Sequence, residues 1–432
     1  MKNTIPTIEY ALEDRTDYTD SAFLVTALHW ANQNGVWSAF KRLLDIDMKT
    51  VVYSPLHNVQ TLLASIFVGC QFNKDIKARL VPDMVAAACL GLERFPDQSQ
   101  CNILLRRLDN TNLSQLEAIH AEHLQRYEPF PDAHWHGYLL VDIDQCGIVA
   151  DGKQYELACK GYFVRRRGAR GYQLSAAWLG KSQLSLGLRL DAGNVHCSTR
   201  LRELVELSAA RVGEARRQAV FRIDGGYGTQ PQIKWLLATD RLFIAKAAVR
   251  KAAKWAARVR PADWQLVRGA AGVRVAEVAA GNGVRGIVCE VSTPSGTTEY
   301  SVLLTNLAAE FDAVHLWRLS SERQTIEAFF KVGRNVYGMD NLRSREFKAI
   351  YGFLWLVFIG HNLLQWVKQE LFAESGLASI GTREMVEKLG RIPARRERTA
   401  SGWRLHLPAQ QVLARLFVHV LRPKWVQLSL CL

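Results

Sequence analysis

Two short aliphatic runs, each closing on a carboxylate, limit what this chain can fold into more than any other feature. The first is Gly137 to Asp144, GYLLVDID. The second is Ala219 to Asp224, AVFRID, which enters the turn GGYGTQ. Runs of this length and composition suit strands, and alternation puts Asp142 and Asp144 on one face of the first. Between them Tyr155 to Val164 and Leu184 to Leu190 read as further strands, and Thr199 to about Gln218 as a helix. Strand, acidic terminus and glycine turn occur twice around a helix, which predicts an α/β sheet protein.

The flanks have other periods. Residues 20–128 are helical in pattern and poor in glycine, punctuated by Pro55, Pro82 and Pro96 and closed by Pro129 and Pro131. Within them Arg94 to Leu108 reads as a turn and a short helix ending in two arginines, suited to bundle packing or to reading DNA. From about 255 to 306 short apolar runs alternate with turns, and Asn282-Gly283 predicts a hairpin. The organisation predicted is a helical, DNA-binding N-terminal region over 1–130, a core over 131–254, an all-β insertion over 255–308, the rest of the core over 309–375 and a C-terminal tail over 376–432.

The 432 residues carry 55 Lys+Arg against 41 Asp+Glu, a formal net charge of +14, which favours nucleic acid or an anionic membrane face as partner. The charge is patchy. Residues 241–260 hold seven basic side chains, Arg250, Lys251 and Lys254 among them, and no acidic one; residues 160–170 hold five, including Arg165, Arg166 and Arg167. Such patches suit a phosphate track. With 48% hydrophobic and 22% charged residues, a disordered chain is excluded. Eight cysteines without CxxC or zinc-type spacing predict buried thiols rather than a metal cage. The first residues lack an apolar signal region, so secretion is not expected. The apolar run Ala349 to Gly360 stops at His361 and Asn362, too short for a bilayer, and reads as a core helix without a membrane role. Gly225, Gly226 and Gly228 fit no nucleotide-binding spacing and read as a tight turn beside Asp224. His315 and His361 read as structural.

The segment Ser320 to Gly338, SSERQTIEAFFKVGRNVYG, reads as one helix. At 100° per residue Arg323, Glu327 and Arg334 lie within about 40° of one another, with Ser320 one turn earlier on the same stripe. Ile326, Phe329 and Phe330 face a core. Two guanidiniums can grip phosphate while the carboxylate between them can hold a cation. Taken with Asp224 and with Asp144 or Asp142, Glu327 completes the set that phosphodiester chemistry uses: hard carboxylate oxygens around a pair of divalent cations. An ion-paired surface helix is the plainer alternative.

These residues resemble the DDE transposases of bacterial insertion sequences, in particular the group whose signature runs Tyr, Arg, Glu and Lys. Arg323 and Glu327 match that signature, Ser320 stands for the Tyr and Arg334 for the Lys. RIDGGYGT resembles the family's second strand and Asp, giving Asp224 that role, and LLVDIDQCG resembles the first, favouring Asp144 over Asp142. GYFVRRRGARGYQLSAA, LRLDAGNVH, SVLLTNL and FLWLVFIGHNLL are similar as well, so the likeness extends over about residues 50 to 410. It implies an RNase H-like mixed sheet flanked by helices, with an all-β insertion before the Glu. It also implies Mg²⁺ (two ions, with Mn²⁺ a possible substitute) on Asp144, Asp224 and Glu327, and double-stranded DNA, both element ends and target, as the partner of a homodimer in the bacterial cytoplasm, at the nucleoid. Arg323, Arg334, Ser320, Lys331, Arg165, Arg166, Arg167, Arg250, Lys251, Lys254 and Trp264 are the implied DNA contacts; Trp264 or Trp317 would hold an unstacked base if a hairpin forms. A transposase-derived DNA-binding protein without activity, and a metal-dependent nuclease without strand transfer, are the competing classes.

Overall fold

Helix formation in the first third follows the local caps. The computed structural model describes residues 11–12, 15–49, 52–127, 135–163, 166–213, 219–248, 252–292 and 296–428. After the short strand β1 (Tyr18–Thr19) come α1 (Ala22–Gln33), α2 (Val36–Leu43), α3 (Pro55–Phe67), α4 (Asn73–Arg79), α5 (Met84–Ala88), α6 (Gln98–Arg107) and α7 (Asn110–Tyr127). Ser21, Ser54, Asp83 and Asp97 each accept a backbone N–H in the first turn of α1, α3, α5 and α6, satisfying donors that the helix cannot.

The chain then builds β2 (Leu139–Val149), β3 (Cys159–Lys160), β4 (Arg170–Leu179) and β5 (Leu184–Ala192), followed by α8 (Leu201–Val212), β6 (Ala219–Ile223), α9 (Gln230–Ala238), β7 (Leu242–Lys246) and α10 (Ala252–Ala256). Next are β8 (Gln265–Leu266), β9 (Val273–Gly281), β10 (Val284–Ser292) and β11 (Thr298–Thr305). The last part holds α11 (Ala313–Ser321), α12 (Gln324–Asn335), α13 (Phe347–Phe372), α14 (Thr382–Glu387), β12 (Ala394–Thr399), β13 (Gly402–His406) and α15 (Val412–Leu428). Strands β1, β12 and β13 form a small sheet. The other ten form one mixed sheet in the order β3-β4-β2-β6-β7-β11-β10-β9-β8, with β5 also paired to β4. Within it β2, β6 and β7 are parallel neighbours, and the rest of the pairings are antiparallel.

Several expectations need correction. Asp144 does not end its strand: β2 continues to Val149 because β4 pairs with it from Val141 to Val149, whereas β6 accompanies it only as far as Ile143. Among the described residues of Tyr155 to Val164 only Cys159 and Lys160 are strand, and the helix expected from Thr199 begins at Leu201 and is described as far as Val212. Strands β4 and β7 lie outside the runs that the sequence pattern marks as strand. The hairpin at Asn282-Gly283 joins β9 to β10 as the sequence predicts, yet β8 to β11 are no separate sheet, since β11 pairs with β7 and extends the central one. Ser320 to Gly338 is two helices rather than one. Finally, α13 spans 26 residues and is long and apolar enough to cross a membrane by those criteria. It is a core helix all the same, buried from Gly352 to Val367 and packed against α7, α3, α6 and β5. It continues past the apolar run because its polar residues find partners inside: His361 contacts Tyr337 Oη at 2.9 Å and the Gln183 carbonyl at 3.0 Å, and Asn362 bonds the backbone of Ser185. The main apolar core runs from Phe23 through the sheet to Phe417, and a smaller one gathers Leu140, Val220 and Ile244 with Leu316 and Leu319.

Candidate active site

Alternation and register together set the site. On β2 the residues Leu140, Asp142 and Asp144 share one face; on β6 so do Val220, Arg222 and Asp224. Parallel pairing matches Leu140 with Val220 and Asp142 with Arg222, so that Asp144 and Asp224 come next in the same row, where the pairing of the two strands stops. The face is therefore layered. Leu140 and Val220 pack in an apolar cluster with Leu316 and Leu319 of α11. One pleat further, Arg222 holds Asp142 in a bidentate pair, Nε to Oδ1 at 2.6 Å and Nη2 to Oδ2 at 2.8 Å, both side chains fully buried. One pleat beyond that, Asp144 and Asp224 face α12. The turn after Asp224 is closed by the Tyr227 and Gly228 amides on its carbonyl. A Cβ on Gly228 would stand 1.9 Å from the Lys246 carbonyl, so only glycine lets this turn lie against β7.

α12 brings the third carboxylate. Arg323 occupies the N-cap position without a side-chain capping bond, and Glu327 lies in the first turn. The Arg323 guanidinium sits among all three acids: Nη1 is 3.0 Å from Asp144 Oδ2, and Nη2 is 3.5 Å from Glu327 Oε1 and 3.9 Å from Asp224 Oδ1. Arg323 and Asp144 are largely buried, Asp224 and Glu327 about half exposed. Burial pushes the Asp144 carboxyl up, against the pull of Arg323 and of the Gln145 amide that it accepts at 2.8 Å. Burial also weighs against the charge on Arg323, but Asp144 and Asp224 outweigh it and hold the guanidinium protonated more firmly than usual. Asp142 is pushed up to about 6 by burial, with Arg222 opposing.

Three carboxylates against one guanidinium leave the site short of positive charge. Among the described residues no three acidic, His or Cys side chains enclose an ion by themselves. Here the guanidinium is a stand-in cation, and its Nη1 lacks an aligned hydrogen bond despite the close approach to Asp144. Oxygen donors converging from β2, the β6 turn and α12 are of the kind that holds a hard divalent cation. Asp142 is spent on Arg222, which leaves Asp144 as the acid of that strand that meets Arg323.

The other sequence candidates are dispersed. Ser320 is half-buried on α11, not on the stripe of α12. Arg334 donates Nη2 to the Gly147 carbonyl at 3.0 Å and pairs through Nε with Asp340 at 3.2 Å. Lys331 is exposed, one turn after Glu327, and Lys254 is exposed on α10. Arg166 and Arg167 line an open cleft of about 480 Å³ with Lys153 and Arg170; Arg166 pairs with Asp151 at 2.8 Å. That cleft adjoins the far end of β2, about 17 Å along the strand from Asp144. Trp264 lies under the Arg274 guanidinium and Trp317 packs on the apolar cluster of α11. Arg165, Arg250 and Lys251 fall outside the described residues. Sequence reading missed Arg222, although a charge inside an apolar strand, mirroring Asp142 in the other, is itself a signal that a buried partner is needed.

The sequence matches the family model described as transposase DDE domain group 1 over residues 23–424. Seven chains of solved structures are similar. One is a piggyBac transposase in a cryo-EM synaptic complex with hairpin DNA, at 10% identity and a TM-score of 0.47, covering 85% of this chain and 78% of that one. No curated protein matches.

Proposed function

Because the chain belongs to the family of group 1 DDE-domain transposases, we propose that it cleaves DNA at the ends of an insertion sequence and transfers the freed strands into a target, with Asp144, Asp224 and Glu327 as its acidic triad. The observation that carries this reading is the convergence of those three acids, from three separate elements, on one cation, the Arg323 guanidinium. Three antiparallel strands, β5, β4 and β2, followed by β6 and β7 parallel to β2, support an RNase H-like core. The strands β8 to β11 then stand for the all-β insertion, grown onto its edge.

In this reading Asp144, Asp224 and Glu327 would hold two Mg²⁺ ions, or Mn²⁺, which would supply activation of the attacking oxygen and charge stabilisation for the leaving one in a phosphodiester displacement. The protein's own residues position the substrate. Arg323, surrounded by acids, exchanges one of them for a DNA phosphate, to which its planar fork is suited. Lys331 extends the grip along α12 and Lys254 supplies charge from α10, which packs on β10 and β11. Arg334, with donors engaged by Gly147 and Asp340, stays at the far end of α12 as a secondary contact. The signature of the bacterial insertion-sequence group is thus kept in Arg323 and Glu327 and altered at Ser320 and Arg334. Cutting paired ends implies a homodimer on DNA.

Glu327→Gln tests the assignment. It removes a cation ligand without removing a phosphate anchor, so cleavage of end-bearing DNA should fall by about 10²–10³-fold or more while end binding is nearly unchanged. Cleavage at the wild-type rate would refute the triad. Excision with and without chelator separates an active enzyme from an inactive DNA-binding descendant, and joining of cut ends to a second duplex separates a transposase from a nuclease.

A further inference from the structure

We propose that Arg222 and Asp142 are positioning residues that decide where the Glu327 helix begins; this rests on the reading of Glu327 as a triad member. Every part of the clamp lies a fixed step from the site. Asp142 is two residues before Asp144 on β2, and Arg222 two before Asp224 on β6. The third donor of Arg222, Nη1, reaches the Leu319 carbonyl of α11 at 2.6 Å.

That last bond breaks the helix. In a continuous helix the Leu319 carbonyl would accept the amide of Arg323, four residues on. With the carbonyl taken by a side chain, the Arg323 amide turns to Ser320 O at 3.3 Å and that of Glu322 to Arg318 O and Ser320 O. A side chain inserted into the ladder is a recognised cause of a sharp break. The chain tightens at Glu322–Arg323 and restarts as α12, with Thr325 Oγ1 3.5 Å from Asp142 Oδ2. The direction of α12, and so the reach of Glu327 toward Asp144, is set from underneath by a guanidinium fixed to both strands.

Space has been left for it. A Cβ on Gly180 would lie 2.6 Å from Arg222 Nη2 and 3.1 Å from Asp142 Oδ2. A bidentate pair buried this completely is costly unless every donor is used. Here each of the three guanidinium nitrogens donates a hydrogen bond, Nε and Nη2 to Asp142 and Nη1 to Leu319.

The test separates clamp from core filler. Asp142→Leu with Arg222→Met replaces the pair by apolar side chains, a change that buried ion pairs often survive with folding intact. Arg222→Lys keeps the charge but cannot hold two carboxylate oxygens and a carbonyl at once, and serves if the double variant does not fold. Each is compared with wild type for end affinity, for single-turnover cleavage at saturating DNA, and for hydrogen exchange over residues 319–330. The expected result is cleavage reduced by about 10²-fold with end affinity retained, the loss typical of a displaced catalytic group, and altered exchange confined to the α11–α12 junction. A folded variant that cleaves at the wild-type rate overturns the proposal, as does unchanged exchange at the junction. If the wild-type protein itself does not cleave, the functional reading fails, and the exchange data still decide whether Arg222 sets the break.

Discussion

Removing the stand-in cation should destabilise the free protein and open it to metal. At an effective dielectric constant near 20, unit charges separated as Arg323 and Asp144 are attract by about 5 kcal/mol before desolvation is counted. Deleting one partner of a buried pair typically costs about 3–5 kcal/mol, because the other is left buried and unpaired. Arg323 and Asp144 keep 14% and 15% exposure, so the lower end applies, about 3 kcal/mol for Arg323→Ala. Asp224 and Glu327, at 44% and 51% exposure, add little because water screens them. Taking about 2.1 cal/mol/K of unfolding entropy per residue over the whole chain, Tm should fall by about 3 °C at neutral pH. The deficit should shrink as pH falls. Asp144 already titrates above its ordinary value when folded, and loss of Arg323 raises it further. The cost of its charge is thus fully felt above that folded pKa and vanishes below the unfolded one. Mg²⁺ or Mn²⁺ should then stabilise the variant more than wild type, by up to about 2.7 kcal/mol at a hundred times its Kd, read as a larger rise in Tm. A variant that melts with wild type at neutral pH, or gains nothing extra from the cation, would refute the argument that the three acids form one cation site.

Two further outcomes follow from the packing around the site. His123 and His361, each pushed down to about 4 by burial, stay neutral when folded but take up protons when unfolded below about pH 6.5. Stability should therefore drop by about 2 kcal/mol per histidine between pH 7 and pH 5, and urea titrations of His361→Gln should show a shallower fall. Phe329, stacked on Trp178 at 4.5 Å and edge-on to Phe358 at 4.9 Å, seats α12 on the core. Phe329→Ala should cost about 3–5 kcal/mol in denaturant unfolding and reduce cleavage more than end binding; equal losses in both would argue against α12 as the element that presents the third acid.

What the sequence revealed and what it concealed divide along the range of the interactions. The helices of residues 20–128, the start of the strand that carries Asp142 and Asp144, and the strand that leads into Asp224 are written in local periodicity and in caps such as Ser54 and Asp97. The turn at Asn282-Gly283 is equally local. The pairing of Asp144 with Asp224 is not: it depends on the register of β2 against β6 across some eighty residues, which no local pattern states. The break before α12 is hidden for the same reason, since the group that takes the Leu319 carbonyl comes from β6, 97 residues earlier. A stripe drawn on an unbroken helix therefore placed Ser320 beside Arg323, and the real chain does not. The short run LFIAK gives no sign that β7 has parallel and antiparallel neighbours at once, and so how the expected all-β insertion joins the core is not legible in the sequence.

That shared edge restricts how the chain can be cut or rebuilt. Leu303, Leu304 and Thr305 of β11 are matched to Lys246, Ala245 and Ile244 of β7. Excising the hairpins as a cassette would bare the backbone of β7, a short apolar strand next to the one that leads into Asp224, and invite pairing with another molecule. The outer hairpins are thus the closure of the inner sheet, and a smaller version of this protein would need a substitute strand in their place.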